Sequence, residues 1–290
     1  MVTYDSDGKT LRDLVSAYVA EQLTVIIESP GLLRAREPVV HPTRVAVRRL
    51  RSTLRVFGDL FDVARSARLE DELVWWAGLL GEVRDLDILE KRLEEAIAAL
   101  PAELVVGPVS SALQREIGAR RKTGWEEIES ALDSERFHAL MGTLHGWRAE
   151  LPLTEAADAP ADRVAHYMKK ANKKVEKRLA AAGQAYAAGD PGADHLAHGA
   201  RKAGKRHRYA AELAEPLWGK KAAKIVKRRK NLQDVLGGHQ DAVVSEAFLR
   251  DFGIRAGARR DHNGFTYGLL FAQERAELAR LPEQLAPFLP

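Results

Sequence analysis

Apolar residues recur at intervals of three and four along most of the chain, the spacing that places them on one face of an α-helix. Ser29-Pro-Gly is expected to end the first helix, Ser134 to cap the fifth, and Gly237-Gly238 to separate the eighth from the ninth. No run of alternating β-branched residues indicates a strand, so the predicted fold class is all-α. The predicted helices are Leu11–Glu28, Pro42–Phe61, Leu69–Leu100, Val109–Ser130, Ser134–Leu151, Asp162–Ala187, His195–Trp218, Ala222–Leu236, Asp241–Phe252 and Asn263–Leu281.

The second predicted helix has an apolar face and a strongly cationic face. Val47, Leu50 and Leu54 fall on its apolar side. At 3.6 residues per turn, one histidine and four arginines share a single stripe on the other side, namely His41, Arg44, Arg48, Arg51 and Arg55. Because no Asp or Glu stands three or four residues away inside this stripe, its positive charges repel one another.

The same arrangement recurs 157 residues later in the chain. The matched pairs are His41 and His198, Arg44 and Arg201, Arg48 and Lys205, Arg49 and Arg206, and Arg51 and Arg208. Only the last position breaks the match, since Glu212 stands opposite Arg55. A second match follows at an offset of 156, where Leu80-Gly81 and Asp85 correspond to Leu236-Gly237 and Asp241. Two matches in the same order predict an internally duplicated unit.

The duplication predicts two helical bundles in tandem. The predicted halves are residues 1–151 and 160–290, and the Pro-containing segment 152–160 is the expected linker. A length of 290 residues allows ample core for either one large or two medium domains.

Charge is distributed unevenly, although the net charge is only +4. Residues 62–161 contain 11 Lys and Arg against 20 Asp and Glu, whereas residues 162–230 contain 19 against 6. A concentrated basic region suggests a polyanionic partner.

Cellular location is predicted from absences in the sequence. There is no cysteine, so a disulfide framework and a thiolate metal site are excluded. No apolar run approaches the roughly 18–20 residues that span a bilayer, and the polar, acidic first residues do not resemble a signal peptide. These features predict a cytoplasmic protein without a membrane segment, and the chain could be part of a longer protein.

The arginine and lysine rows predict a phosphate-rich ligand. Arginine donates two parallel hydrogen bonds to a phosphate, and lysine adds a compact charge. Two duplicated helices are expected to face each other and to line a channel for a linear polyanion. The alternative is that each stripe is solvated or pairs with the acidic segment 62–161.

Several other residues near the stripes have more than one possible role. His41 and His198 could contact phosphate as imidazoles, could be satisfied by a backbone carbonyl, or could bind a metal. Asp85 and Asp241 could hold a cation of the stripe in position or could simply end a helix. Tyr209 lies close to His198 on the helical wheel, so its hydroxyl could reach the same anion.

The quoted elements, from His41-x-x-Arg44 and His198-x-x-Arg201 to the two Leu-Gly-x-x-x-Asp segments, resemble the CHAD family, the conserved histidine α-helical domain. The resemblance extends roughly from Leu11 to Leu281. It implies two pseudo-symmetric four-helix bundles and non-catalytic binding of inorganic polyphosphate in a central basic cavity. Many relatives carry a triphosphate-tunnel (CYTH) domain, so any phosphohydrolase activity is expected from such a separate domain or partner.

The resemblance also implies which residues contact the ligand. The main contacts would be His41, Arg44, Arg48, Arg51, Arg55, His198, Arg201, Lys205, Arg208 and Tyr209. Arg49 and Arg206 would serve a flank, and weaker candidates on neighbouring helices are Lys173, Lys177, Lys224, Lys227 and Arg228.

Two other functions remain open from the sequence. The same basic surface could bind RNA, although the five tryptophans are not interleaved with the basic stripes as base-stacking residues are. A metal-dependent phosphohydrolase could use His41, His198, Asp85 and Asp241. The sequence predicts no catalytic residue, no metal site and no cofactor, and it leaves the oligomeric state open.

Overall fold

The computed structural model describes residues 8–258 and 263–289. No strand occurs in these ranges, and their only β pairing is two isolated bridges, Thr10 with Pro160 and Phe61 with Leu153. The all-α prediction is confirmed. The helices are α1 (Leu11–Arg34), α2 (Val40–Val56), α3 (Val63–Ala98), α4 (Val109–Leu132), α5 (Glu135–Ala149), α6 (Val164–Ala187), α7 (Ala193–Leu213), α8 (Glu215–Trp218), α9 (Lys220–Gly257), α10 (Phe265–Ala279) and α11 (Leu281–Leu285).

Helix α1 continues through Pro30 to Arg34, so the predicted end at Ser29-Pro-Gly is wrong. A proline inside a helix removes the N–H that would pair with the carbonyl four residues earlier, here that of Ile26. The Ser29 hydroxyl donates to this carbonyl at 2.8 Å. The side chain thus replaces the missing backbone bond, and the helix continues.

Helix α9 is continuous where two helices were predicted on either side of Gly237-Gly238. Neither glycine has a positive φ. A glycine inside a helix costs about 1 kcal/mol relative to alanine. Leu236, His239 and Ala242 are buried on both sides of the pair, and this packing offsets the cost.

Two other helix boundaries are set by single residues, a proline and a capping serine. The predicted helix His195–Trp218 is divided into α7 and α8, because Pro216 has no N–H for the carbonyl of Glu212. The predicted cap at Ser134 is confirmed, since its hydroxyl accepts from the Phe137 N–H at 3.1 Å.

The core consists of three clusters of buried apolar residues. The largest joins α1, α2, the first part of α3 and α5 with the ends of α6 and α7. A second cluster joins α3 and α4 with α9 and α10, where Leu93 and Leu270 are both buried. The third joins α6, α7, α9 and α11. The second cluster contains residues of both predicted halves, so the halves pack directly on each other.

The segment 152–160 connects α5 to α6 and is held against the first half. The Leu11 N–H donates to the Ala159 carbonyl and the Thr154 N–H to the Leu60 carbonyl, each at 2.9 Å. Ala157 within it is fully buried. The internal duplication and the boundaries 1–151 and 160–290 stay predictions.

Helix α2 packs on α1 and α3 and also on α7, and α7 itself packs on α6 and α9. The two cationic helices are therefore neighbours in space, although 157 residues separate their matched positions in the chain.

Candidate functional site

The cationic side of α2 faces away from the hydrophobic core. Val47 and Leu50 on the other side are fully buried, and Leu54 is nearly so. Because these residues fix the rotation of the helix, the arginine stripe is directed toward α7.

Helix α7 carries its cations on a framework of small residues. Ala200, Ala203 and Gly204 are buried, and the absence of large side chains at these positions lets α7 pack closely on its neighbours. The basic residues on the remaining face are thereby brought close to α2.

Two adjoining cavities lie between the cationic faces of α2 and α7. The first cavity has a volume of about 310 Å³, and the second cavity has a volume of about 280 Å³. The predicted residues that line the first cavity are His41, Arg44, Arg48, His198, Arg201 and Lys205. Those that line the second cavity are Arg48, Arg51, Arg55, His198, Arg201, Lys205, Arg206 and Tyr209. Four residues are common to both, so the two cavities form one path.

Some of the arginines on α2 are neutralised by carboxylates of other helices. Arg44 Nη1 lies 2.8 Å from Asp85 Oδ1 and donates to the Gly81 carbonyl at 3.2 Å. Glu70 forms an ion pair with Arg55 and a longer one, at 3.7 Å, with Arg51. Carboxylates thus neutralise part of the positive charge at the two ends of the arginine stripe.

The centre of the path lacks such partners. Among the described residues, no carboxylate forms an ion pair with Arg48, Arg201 or Lys205. The buried Nε atoms of Arg48 and Arg201 also have no hydrogen-bond acceptor there. Since buried N–H donors are usually satisfied, these groups are suited to an anionic ligand from outside the chain.

Lys205 shows how strong the local positive potential is. Burial, followed by the charges of Arg201, Arg48 and Arg44, lowers the pKa of Lys205 to about 6. Its ammonium form is disfavoured because removal from water penalises the charge and four guanidiniums, that of Arg208 included, repel it. A bound anion would raise the pKa of Lys205 again, because it would stabilise the ammonium form.

The two histidines lie at the same cavity and carry similar electrostatic shifts. Burial and then Arg84 lower the pKa of His41, while burial is also the main cause that lowers the pKa of His198. His198 Nδ1 lies 2.8 Å from Gln240 Oε1. The ring of His198 is therefore held by a side chain of α9, rather than by the backbone carbonyl considered in the sequence analysis.

The two repeated aspartates both line the first cavity. Asp85 holds Arg44 directly, which is one of its two predicted roles. Burial raises the pKa of Asp241, against the lowering effect of Arg201 and Arg92. In the described residues Asp241 forms no ion pair, so its part in the site differs from that of Asp85.

A separate cluster contains Arg49, Arg208 and Glu212. Arg49 Nε donates to Glu212 at 2.9 Å, and Arg208 lies 3.3 Å from the same carboxylate. Both guanidiniums also lie over the Tyr209 ring. Neither arginine lines the two cavities. Glu212, which breaks the repeat, thus neutralises Arg49 and Arg208 outside the two cavities.

The five weaker candidates of the second half lie on exposed surfaces of α6 and α9, and none of them lines the two cavities. These residues are Lys173, Lys177, Lys224, Lys227 and Arg228. Lys173 and Lys177 are nearly opposite the buried residues Val175 and Leu179 on the α6 wheel. Their role as ligand contacts stays a prediction.

Sequence reasoning missed four charged or amide side chains that line the cavities, and three of them carried a usable signal. Arg84 and Arg92 line the first cavity together with Gln240, and Lys202 lines the second. Gln240 occupies the position of Arg84 in the second copy of the repeat. Arg92 lies seven residues after Asp85 and hence on the same face of α3.

Residues 8–258 and 263–289 contain neither a membrane-spanning helix nor a cluster of potential metal ligands. None of the helices described there has the length and apolar character needed to cross a membrane. No three His, Cys, Asp or Glu side chains in the same ranges form a group that could hold a metal ion.

Two proteins of Mycobacterium tuberculosis are similar in sequence to this chain. They are Uncharacterized protein MT2285 of strain CDC 1551 / Oshkosh and Uncharacterized protein Rv2226 of strain ATCC 25618 / H37Rv. Each is 32% identical over 274 residues, which are 94% of this chain and 52% of the relative. The chain therefore spans about half the length of these curated relatives.

Two solved structures share the fold. PptA from Streptomyces chartreusis aligns with a TM-score of 0.79 at 22% identity, over 96% of this chain and 99% of that one. The crystal structure of the CHAD domain from the plant Ricinus communis aligns with a TM-score of 0.71 at 26% identity, over 96% and 91%. The family model of the CHAD domain matches residues 17–250. These matches confirm the resemblance inferred from the repeated motif, and the chain belongs to the CHAD family.

Proposed function

We propose that this chain binds inorganic polyphosphate, without catalysis, in the first and second cavities between α2 and α7. The observation that carries the proposal is the set of basic side chains at the centre that have no carboxylate partner among the described residues, Arg48, Arg201 and Lys205. They come from both helices and line both cavities. A phosphate chain lying along this path would meet guanidinium groups from two sides.

A linear polyanion suits the path better than a single phosphate ester. The cations are distributed along two adjoining cavities with shared walls, and Arg44 and Arg55 extend the row on α2 in both directions. From His41 to Arg55 the helix rises about 21 Å at 1.5 Å per residue. Repeated phosphate units can contact such a row at several points, each with bidentate geometry at arginine.

The lining of the cavities also favours polyphosphate over nucleic acid as the ligand. Single-stranded nucleic acids commonly stack their bases on aromatic side chains. Tyr209 is the one aromatic residue among the described residues that line the two cavities, and it is almost completely buried. The cavities therefore offer many phosphate contacts and little surface for bases.

The proposal is tested by titrating a labelled long-chain polyphosphate with wild type and with the double variant Arg48→Ala, Arg201→Ala. Charge-assisted hydrogen bonds contribute about 1.5–3 kcal/mol each, and 1.4 kcal/mol corresponds to a factor of ten. We therefore expect the double variant to bind on the order of 100-fold more weakly. The matched control is Arg65→Ala, Arg68→Ala, which removes two exposed arginines at the start of α3.

Three results would contradict the proposal. An equal affinity of the double variant and the control would place the binding site elsewhere. Effective competition by RNA at equal phosphate concentration would favour the nucleic-acid function. Phosphate release from the chain in the presence of Mg²⁺ or Mn²⁺, abolished by chelation, would contradict the non-catalytic part.

A further inference from the structure

A third cavity, of about 420 Å³, lies beside the second cavity where α2, α6 and α7 meet. Arg55 and Arg206 line both the second and the third cavity. On its far side the third cavity is lined by Lys170 and Lys174 of α6. The basic path between α2 and α7 thus has a continuation that neither the repeat nor the family motif indicates.

The third cavity carries its own excess of positive charge. Burial lowers the pKa of Lys174, and the charges of Arg206, Arg178, Arg55 and Lys170 lower it further. Within the described residues neither lysine of this cavity forms an ion pair. A cation whose affinity for a proton is lowered by neighbouring cations, as that of Lys174 is, is stabilised by an anion placed beside it.

Glu70 lies where the second cavity opens into the third. It is the one carboxylate among the described residues that line these two cavities. Its side chain forms the ion pair with Arg55 and the 3.7 Å contact with Arg51. With a side-chain exposure of 18%, it is shielded enough for this interaction to compete with an incoming anion.

We propose that the third cavity is a further anion subsite, in which Lys170 and Lys174 bind the distal phosphates of a long chain and Glu70 competes for Arg55. This inference rests on the proposed function, since it extends the same path. A short oligophosphate fits into the first two cavities and does not reach α6. A long chain reaches the third cavity, displaces the Glu70 carboxylate from Arg55 and gains the lysine contacts. The subsite would thereby select for chain length.

The test compares tripolyphosphate with long-chain polyphosphate by direct titration. The double variant Lys170→Ala, Lys174→Ala is expected to bind long-chain polyphosphate at least tenfold more weakly and tripolyphosphate as wild type does. The matched control is Lys169→Ala, Lys230→Ala, which removes two exposed lysines of α6 and α9 that line none of the three cavities. Glu70→Gln is expected to tighten long-chain binding several-fold, because the amide keeps the shape but not the charge. Helical circular dichroism and the thermal midpoint check that each variant is folded.

The outcomes separate this inference from the proposed function. If wild type binds neither probe, the proposed function fails. If wild type binds both and the α6 variant behaves as its control, the third cavity is not a subsite and the proposed function stands. An equal loss for both probes, or weaker long-chain binding by Glu70→Gln, would overturn the selection for chain length.

Discussion

Arg44 Nη1 lies 2.8 Å from Asp85 Oδ1 and so ties the start of the basic stripe on α2 to α3. The contact is close because residue 81 is glycine, where an added Cβ would lie 3.1 Å from the Arg44 guanidinium. Arg44 therefore reaches the cavity in a fixed position, although the same carboxylate also offsets part of its charge.

The variants Asp85→Asn and Asp85→Ala separate these two effects. Asparagine keeps an acceptor for Arg44 and removes the negative charge, whereas alanine removes both. We expect Asp85→Ala to bind polyphosphate several-fold more weakly than Asp85→Asn, measured by direct titration. Equal affinities would mean that Asp85 does not position Arg44.

Binding should be accompanied by proton uptake at Lys205. In the free protein its pKa is about 6, so at pH 8 the side chain is largely neutral. A bound polyanion favours the ammonium form, and affinity should therefore fall as pH rises above about 6. Calorimetry at pH 8 in two buffers of different ionisation enthalpy measures the uptake directly.

The control for this prediction is Lys205→Arg, which keeps the positive charge at any accessible pH. Its binding enthalpy should depend less on the ionisation enthalpy of the buffer than the binding enthalpy of wild type does. An equal buffer dependence of the two proteins would assign the proton to another group, such as His41 or His198.

The salt dependence of binding reports how many cations contact the ligand. In single-stranded nucleic acids, each neutralised phosphate changes the slope of log K against log salt by about 0.7. By analogy, Arg48→Ala, Arg201→Ala should reduce this slope by about 1.4, while Arg65→Ala, Arg68→Ala should leave it unchanged. Titrations at four or more salt concentrations give the slopes, and an unaltered slope in the first variant would show that these arginines do not contact phosphate.

The all-α fold and the orientation of the basic stripes could be predicted because they depend on local periodicity. Val47 and Leu50 fix one face of α2, and the cationic face follows from the same spacing. The repeat at His198 and Arg201 then indicated that a second helix lines the same site. Neither the helical periodicity nor the repeat depends on contacts between residues that are far apart in the chain.

Which cations remain unpaired could not be predicted, because their partners are distant in the chain. Arg49 is neutralised by Glu212, which lies 163 residues away. Arg48, in the adjacent position, has no such partner among the described residues. The position of Lys174 also depends on residues that are distant in the chain. It lines the third cavity because α6 packs on α7 with one particular rotation about its axis.

A buried pair on the core side of α7 makes a separate prediction about stability. His207 Nδ1 accepts from Arg229 Nε at 2.9 Å, and His207 is almost fully buried. Burial and then Arg229 lower the pKa of His207 to about 4. Between this value and the ordinary value of 6.5, the unfolded chain binds a proton that the folded chain does not. The free energy of unfolding should therefore decrease as pH falls through this range, by up to about 1.4 kcal/mol per pH unit from this group.

Urea denaturation of wild type and His207→Asn at pH 7 and pH 5 isolates this contribution. The asparagine oxygen can accept from Arg229 in place of Nδ1, but it does not titrate. The variant is expected to lose ring packing and to be less stable at pH 7, yet to lose less stability on acidification than wild type does. The difference between the two losses measures His207 alone, because the other titrating groups are common to both proteins. Equal losses would show that the pKa of His207 is the same in the folded and the unfolded chain, and would contradict this prediction.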